Sequence, residues 1–150
     1  EVPPVPGDDW DAVFFRAFFE RVEPSFPPDR VTLLSGYPAT MAALARIDPS
    51  DPRRAERMEV FVGRLELANA FGELADPVEQ RRRFEAELEL RAHFGRQTPP
   101  IDEGLLADLP GMGEAAEIAL GLDRLLMLCL GLPRIQDGIP FSPRDPGESG

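Results

Sequence analysis

Two apolar-rich runs separated by a single glycine constrain the fold of this chain more than any other feature of its sequence. Within residues 55–74, apolar side chains alternate along 58–62, Gly63 interrupts the pattern, and a second run continues over 65–74. Alternation with a period of two is typical of a strand, and a glycine between two such runs favours a turn. We therefore predict an antiparallel β-hairpin with its turn at Gly63-Arg64.

The rest of the sequence mixes helix and strand signals. The strongest is Asp76-Pro77-Val78-Glu79, which combines an N-cap residue, a proline at the first helical position and an acid three residues after the cap. It predicts a helix that runs to about Phe94. The other predicted elements are helices at about 9–22, 103–109 and 123–130, weak helical character at 39–46, buried strands at 31–34 and 116–120, a turn at 110–113 and a short strand at 139–141. Hairpins followed by helices favour an α+β fold, an antiparallel sheet with flanking helices, over a doubly wound fold.

Composition excludes several classes of function. The 150 residues fit one domain, and 27 acidic against 16 basic residues give a net charge of −11, which opposes non-specific nucleic-acid binding. Every basic residue is an arginine, so no Schiff-base lysine is available. Cys129 and His93 are single, which excludes internal disulfides and multi-histidine metal sites, and Cys129 is predicted to lie in the core. Without an apolar run of about 18 residues or a signal peptide, a cytoplasmic protein is expected.

Acidic and amide side chains interrupt the apolar pattern of the run Glu66-Leu67-Ala68-Asn69-Ala70-Phe71-Gly72-Glu73. Their burial costs free energy unless a divalent cation, a ligand ammonium group or a ribose hydroxyl provides a partner. Glu66 and Glu73 are therefore candidate metal ligands, and Asn69 and Glu73 candidate substrate ligands. An ideal strand points Glu66 and Glu73 to opposite faces, so they converge only with a bulge near Asn69 or Gly72. The alternative is a half-exposed strand with solvated acids.

An arginine follows the point where a predicted strand passes through Gly121 into an apolar helix. Arg124 then falls in the first turn of that helix, where a positive charge opposes the helix dipole. An anionic ligand such as a phosphate would account for this position, with Gly121 allowing its close approach. The alternative is that Arg124 pairs with Asp123 or another acid on the surface.

Three stretches follow one another in a distinctive order. They are Tyr37-Pro38-Ala39 with Leu44-Ala45-Arg46, then residues 59–74, then Ala119-Leu120-Gly121-Leu122-Asp123-Arg124-Leu125. Together they resemble the C-terminal half of a class II aminoacyl-tRNA synthetase catalytic domain of the lysyl type, and the last resembles class II motif 3. Residues 42–47, 54–57 and 100–106 make the chain most similar to the truncated lysyl-tRNA synthetase paralogues, the elongation factor P lysyltransferases.

The resemblance implies substrates, cofactors and partners. Those enzymes activate lysine or (R)-β-lysine with ATP and Mg²⁺ and transfer it to a lysine of elongation factor P instead of tRNA. The implied partners are therefore elongation factor P and a lysine-like amino acid, with a homodimer of a full-length parent. The acidic balance of this segment argues against tRNA binding by it.

The resemblance also implies roles for individual residues. Glu66 and Leu67 would contact ATP and its Mg²⁺, and Glu73 would bind the amino group of the substrate. Gly121 would lie against the nucleotide, and Arg124 would act as a catalytic residue by holding the γ-phosphate. These residue types suit the roles, because carboxylates bind Mg²⁺ and ammonium groups and arginine binds phosphate oxygens.

The chain departs from the family pattern in several places. It has neither motif 1, which builds the dimer interface of the family, nor motif 2, whose arginine grips the α-phosphate. Glu117 stands where motif 3 usually has a glycine and places a negative charge near a triphosphate site, and Ala70 replaces a glycine common in the paralogues.

These departures, with a start at Glu1 instead of Met, shape the expected organisation. We expect a proline-rich linker at 1–8, a partial class II synthetase-like catalytic domain at 9–142, a tail at 143–150, and no activity from this segment alone. The chain would then be a fragment or a degenerate relative. The alternatives are a fragment of lysyl-tRNA synthetase and a non-catalytic synthetase-like binding module.

Overall fold

The predicted hairpin forms the middle of a four-stranded sheet in the computed structural model, which describes residue 5 and residues 7–139. The turn lies at Gly63-Arg64 as predicted, and Gly63 has a φ of +54°, a conformation that glycine adopts without strain. The strands are antiparallel and lie in the order of the chain. They are β1 (Val31–Ser35), β2 (Arg57–Val62), β3 (Leu65–Gly72) and β4 (Ala116–Leu120).

Helices precede, connect and follow these strands, which confirms the predicted α+β class. Side-chain oxygens of Asp9, Asp76 and Asp102 accept backbone N–H groups at the starts of the first three helices, which satisfies donors that have no partner within a helix. None of the described helices has the length and apolar character needed to cross a membrane. The helices are α1 (Trp10–Ala17), α2 (Pro77–His93), α3 (Glu103–Met112) and α4 (Leu122–Leu130).

The predicted burial of β1, β4 and Cys129 is wrong. Val31 and Leu33 are 64% and 62% exposed, every residue of β4 is exposed, and so is Cys129. β1 and β4 are the two end strands of the described sheet, so each has a neighbour on one side only. An apolar sequence pattern predicts that a strand or helix forms. Whether its side chains are buried depends on which other elements pack against it.

Several boundaries also differ from the predictions. The first helix leaves α geometry at Ala17 and continues as a π-helical turn over Phe18–Val22. The helical character of residues 39–46 is limited to a 3₁₀ turn at Ala39–Met41, and Ala45 forms a β-bridge with Glu73. The turn predicted at 110–113 is wrong for its first three residues, because α3 continues through Pro110 to Met112 although Pro110 has no N–H to donate to the Leu106 carbonyl. Of the predicted strand at 139–141, Ile139 is not in a strand and the rest lies outside the described residues.

The described residues form two compact units. The first combines the described parts of Glu1–Thr32 and Leu120–Gly150 with Val60–Ala68, and the second combines Leu33–Glu59 with Asn69–Ala119. In the first unit, the rings of Phe18, Phe26 and Phe61 pack with centroids 5.2–6.2 Å apart. In the second, a buried cluster of small side chains packs against two larger ones. Its members are Ala42, Ala45 and Ala55, with Ile47 and Phe71 packed on them.

An arginine fixes α2 within the second unit. Arg83 Nη1 donates to the carbonyl oxygens of Ala43 and Ala45, at 2.8 and 2.7 Å, while its Nε donates to Glu79 Oε1 at 2.9 Å. Hydrogen bonds from Arg82 and Arg83 lower the pKa of Glu79 to about 2. Ala43 has a φ of +52°, an unfavourable conformation for a residue with a Cβ, and Arg83 holds the loop there.

Candidate functional site

In the first unit, β3 and the start of α4 are joined through the backbone. Gly121 is the N-cap of α4, and its N–H donates to the carbonyl oxygen of Leu67, 2.8 Å away. Leu67 is buried, so its backbone is held in place by packing as well as by pairing. This bond places the first turn of α4 beside Glu66 and Leu67 of β3.

Arg124 lies in that first turn and reaches Glu66. Its Nη1 donates to the backbone carbonyl of Glu66 at 2.7 Å and lies 3.8 Å from the Glu66 carboxylate oxygen Oε2. The two side chains are 45% and 41% exposed, so this ion pair is a weak one. A guanidinium carries five N–H donors, and only Nη1 is engaged by the described residues. The remaining donors are available to an anion, and the phosphate role of Arg124 stays a prediction. The acid that pairs with Arg124 is Glu66, another acid on the surface, rather than Asp123.

Neither backbone conformation nor protein packing requires glycine at position 121. Its φ is −74°, and a Cβ there would lie 3.4 Å from Arg124 Cδ and 3.5 Å from the Leu67 carbonyl oxygen, which are ordinary contact distances. The protein itself therefore tolerates a Cβ at this position, and the sequence-based role of Gly121 against a nucleotide stays a prediction.

In the second unit, the pairing of β3 with β4 sets which side chains share a face. The Glu73 N–H donates to the Ala115 carbonyl at 2.9 Å, so these two residues face each other across the antiparallel pair. Two residues further along, Phe71 lies opposite Glu117. The same alternation places Asn69 on that face of β3. Asn69, Phe71 and Glu73 are therefore neighbours on one side of the sheet.

Two oxygen atoms on this face lack partners. Asn69 Oδ1 and Glu73 Oε1 are buried, and neither has a hydrogen-bond donor among the described residues. A buried acceptor without a donor costs about 1–3 kcal/mol. A ligand that brings N–H donors would remove that cost, and both residues were predicted from the sequence to bind substrate.

No positively charged side chain among the described residues pairs with Glu73. Burial, and to a lesser extent the negative charge of Glu117, raise the pKa of Glu73 above its usual value. Among the described residues neither carboxylate forms an ion pair. A bound cation would lower the pKa of Glu73 again, because an opposite charge favours the ionised form.

A buried network on β2 was not predicted as part of the site. Arg57 Nη2 donates to Glu59 Oε1 at 2.6 Å, the Tyr37 hydroxyl donates to the same carboxylate, and the Arg57 guanidinium lies 4.5 Å from the centre of the Tyr37 ring. The Arg57 guanidinium also lies 5.8 Å from the Phe71 ring, so the network supports the face that carries Glu73. The opposite charges of Arg57 and Glu59 are visible in the sequence. Their contacts with Tyr37 and Phe71, which come from other segments of the chain, are not.

The proposed metal ligands Glu66 and Glu73 belong to different compact units. Within the part of the chain that the structure describes, no group of three or more His, Cys, Asp or Glu side chains is arranged to hold a metal ion. Mg²⁺ bound with a nucleotide takes only one or two carboxylates, because phosphate oxygens and water supply the rest. Glu66, half-exposed beside Arg124, fits that requirement, while a shared ion with Glu73 stays a prediction.

Known proteins are similar to this chain over most of its length. The family model described as tRNA synthetases class II (D, K and N) matches residues 25–145. Elongation factor P–(R)-β-lysine ligases from Pectobacterium atrosepticum, Klebsiella pneumoniae and Haemophilus influenzae are 46%, 45% and 44% identical over 136 residues. Each match covers 90% of this chain and 42% of the relative, so the chain spans less than half the length of these proteins.

Proposed function

Because the chain belongs to the class II tRNA synthetase family (D, K and N), we propose that the protein containing it activates a lysine-like amino acid with ATP and transfers it to a lysine of elongation factor P. Binding of an amino acid is supported by two buried acceptor atoms, Asn69 Oδ1 and Glu73 Oε1, which have no donor among the described residues. An amino group supplies N–H donors and a positive charge together. Elongation factor P as the acceptor is supported by the names of the similar ligases.

The reaction has two steps. In the first, the carboxylate of the amino acid attacks the α-phosphorus of ATP and pyrophosphate leaves. In the second, the lysine Nε of elongation factor P attacks the activated carbonyl, loses a proton and displaces AMP. Much of the rate enhancement in such reactions comes from positioning and from neutralising charge.

The described residues supply binding groups for both substrates. In the first unit, Arg124 holds the γ-phosphate of ATP with the donors that Glu66 leaves available, and Gly121 lies against the nucleotide. Glu66, with Leu67 as its neighbour on β3, contacts ATP and provides a carboxylate to Mg²⁺. Bound Mg²⁺ would neutralise phosphate charge.

In the second unit, Glu73 and Asn69 receive the amino group of the amino acid. The Arg57–Glu59–Tyr37 network keeps Phe71 and this face of β3 in place. The arginine that the family uses at the α-phosphate is in motif 2, which is absent here, so residues 1–150 alone are expected to bind substrates weakly and not to form an adenylate. A cytoplasmic location and a homodimer belong to the same proposal.

The test is amino-acid-dependent exchange of pyrophosphate into ATP by the natural full-length protein that contains this sequence. Exchange with lysine or (R)-β-lysine, lost in Glu73→Gln but kept in the matched surface variant Glu114→Gln, is the expected result. Transfer of labelled amino acid is then measured with elongation factor P and with tRNA as acceptors.

Each alternative gives a different result. Transfer to tRNA and not to elongation factor P would identify a lysyl-tRNA synthetase instead. A full-length protein that exchanges with no amino acid would support a non-catalytic binding module.

A further inference from the structure

Glu117 occupies a defined place beside the amino-acid residues of the second unit. It lies on β4 directly opposite Phe71, and the Glu73–Ala115 backbone bond makes Glu73 its diagonal neighbour on the same face. Diagonal neighbours in an antiparallel pair are about 7–8 Å apart, within reach of long side chains. A ligand bound at Glu73 is therefore within reach of the Glu117 carboxylate.

The arginines near Glu117 are already engaged. Glu117 and Phe71 border a cavity of about 450 Å³ that is also lined by Arg46, Arg54 and Arg57. Arg46 pairs with Glu56, Arg54 with Asp51 at 3.0 Å, and Arg57 with Glu59 at 2.6 Å. The described residues thus offer no cation to Glu73 or Glu117.

Two neighbouring carboxylates without a counter-ion repel each other, and Glu73 has in addition a buried oxygen without a donor. A positively charged ligand removes both costs at once. A neutral side chain placed against Glu73 removes neither, so the discrimination depends on the side-chain ammonium group that lysine has and norleucine lacks.

We propose that Glu117 is a specificity-determining residue, a second carboxylate that works with Glu73 to select an amino acid with two ammonium groups over neutral amino acids of the same shape. The proposal rests on the proposed amino-acid activation and adds to it a residue that stands in place of the usual glycine of motif 3. Because Glu117 is exposed and its field is partly screened, its contribution is modest.

The test compares Glu117→Gln with wild type and with the control Glu114→Gln, which removes the same charge from an exposed position just before β4. Pyrophosphate exchange is measured in the natural full-length protein with lysine, (R)-β-lysine and norleucine, a neutral isostere of lysine. For Glu117→Gln we expect the KM for the two diamino acids to rise about three- to tenfold. The kcat, the KM for ATP and the kcat/KM for norleucine should stay within twofold, because only binding of the substrate cation is affected.

Ionic strength separates an electrostatic role from a structural one. The ratio of the lysine KM values of Glu117→Gln and wild type should shrink between 50 mM and 500 mM salt, which a packing defect would not produce. An unchanged KM for lysine, a lower KM for ATP alone, or an equal effect of Glu114→Gln overturns the role of Glu117 while leaving amino-acid activation intact. Absence of exchange with any amino acid in wild type overturns both proposals.

Discussion

Arg124 donates a hydrogen bond from Nη1 to the backbone carbonyl of Glu66, 2.7 Å away, and so ties the first turn of α4 to β3. A cation in that position is unfavourable to the helix dipole, and the described residues pair it with one carbonyl and one weak, exposed carboxylate. We therefore expect Arg124 to bind an anion as well as to maintain the fold.

Replacing Arg124 with lysine should therefore impair nucleotide binding more than folding. Lysine keeps the charge but loses the planar set of donors that binds two phosphate oxygens together. We expect the KM for ATP in the full-length protein to rise about tenfold, and the free energy of unfolding to change by less than about 1 kcal/mol because the ion pair is exposed. Arg91→Lys, in a surface pair with Glu87, is the control, and an ATP KM that moves equally in both variants would refute the role.

Gly121→Ala tests whether a ligand, and not the protein, needs the glycine. The added Cβ meets only ordinary contacts at 3.4 and 3.5 Å, so the variant should fold with a loss of at most about 1 kcal/mol at this N-cap. Its KM for ATP should nevertheless rise several-fold, as measured by pyrophosphate exchange. Gly111→Ala, which has open space around the new Cβ and lies within α3, should leave the KM for ATP unchanged and should not lower the free energy of unfolding. Normal ATP binding by Gly121→Ala would show that the nucleotide does not lie there.

Phe61→Ala should destabilise the first unit strongly. Phe61 is 4% exposed and contacts the rings of Phe18 and Phe26, so its truncation leaves a cavity between aromatic side chains. We expect a loss of about 3–4 kcal/mol in the free energy of unfolding, measured by urea denaturation. The matched variant Phe94→Ala, at a side chain that is 64% exposed, should lose less than about 1 kcal/mol. Equal losses would contradict the assigned packing.

Acid should remove the stabilising contribution of Glu79, which pairs with Arg82 and Arg83 within α2. Its pKa is lowered to about 2 from an ordinary value of 4.5, so ionised Glu79 stabilises the fold above pH 4.5, and this contribution is lost as the pH falls towards 2. Since Glu79 and Arg82 are partly exposed, we expect only about 1 kcal/mol from it after solvent screening. The difference in unfolding free energy between wild type and Glu79→Gln should shrink by that amount from pH 6 to pH 2.5. A constant difference would exclude this linkage.

The elements that local signals specify were predicted well. The β2–β3 hairpin depends on alternation and on the glycine turn, and α2 depends on the Asp76 cap and Pro77, all within a few residues of one another. Burial of β1, β4 and Cys129 was predicted wrongly because coverage depends on which elements lie beside a strand or helix. The pattern of Val31 and Leu33 contains no such information.

In the candidate site too, single residues could be predicted from the sequence, but contacts between distant segments could not. Glu66, Asn69, Glu73 and Arg124 could be singled out because each is a polar residue in an apolar run. The bond from Arg124 to Glu66 and the diagonal placement of Glu117 beside Glu73 depend on pairing between segments more than 40 residues apart, which no local pattern specifies. The Arg57–Glu59–Tyr37 network was missed for the same reason.

The exposed end strand β4 has a consequence for amide hydrogen exchange. Its register with β3 directs the N–H groups of Glu117 and Ala119 towards β3, and those of Ala116, Ile118 and Leu120 away from it. In the 150-residue chain, exchange should therefore alternate along β4, slow at Glu117 and Ala119 and fast at the other three. If the full-length protein adds a strand at this edge, the three fast amides will become protected, which makes β4 a direct reporter of how the sheet is completed.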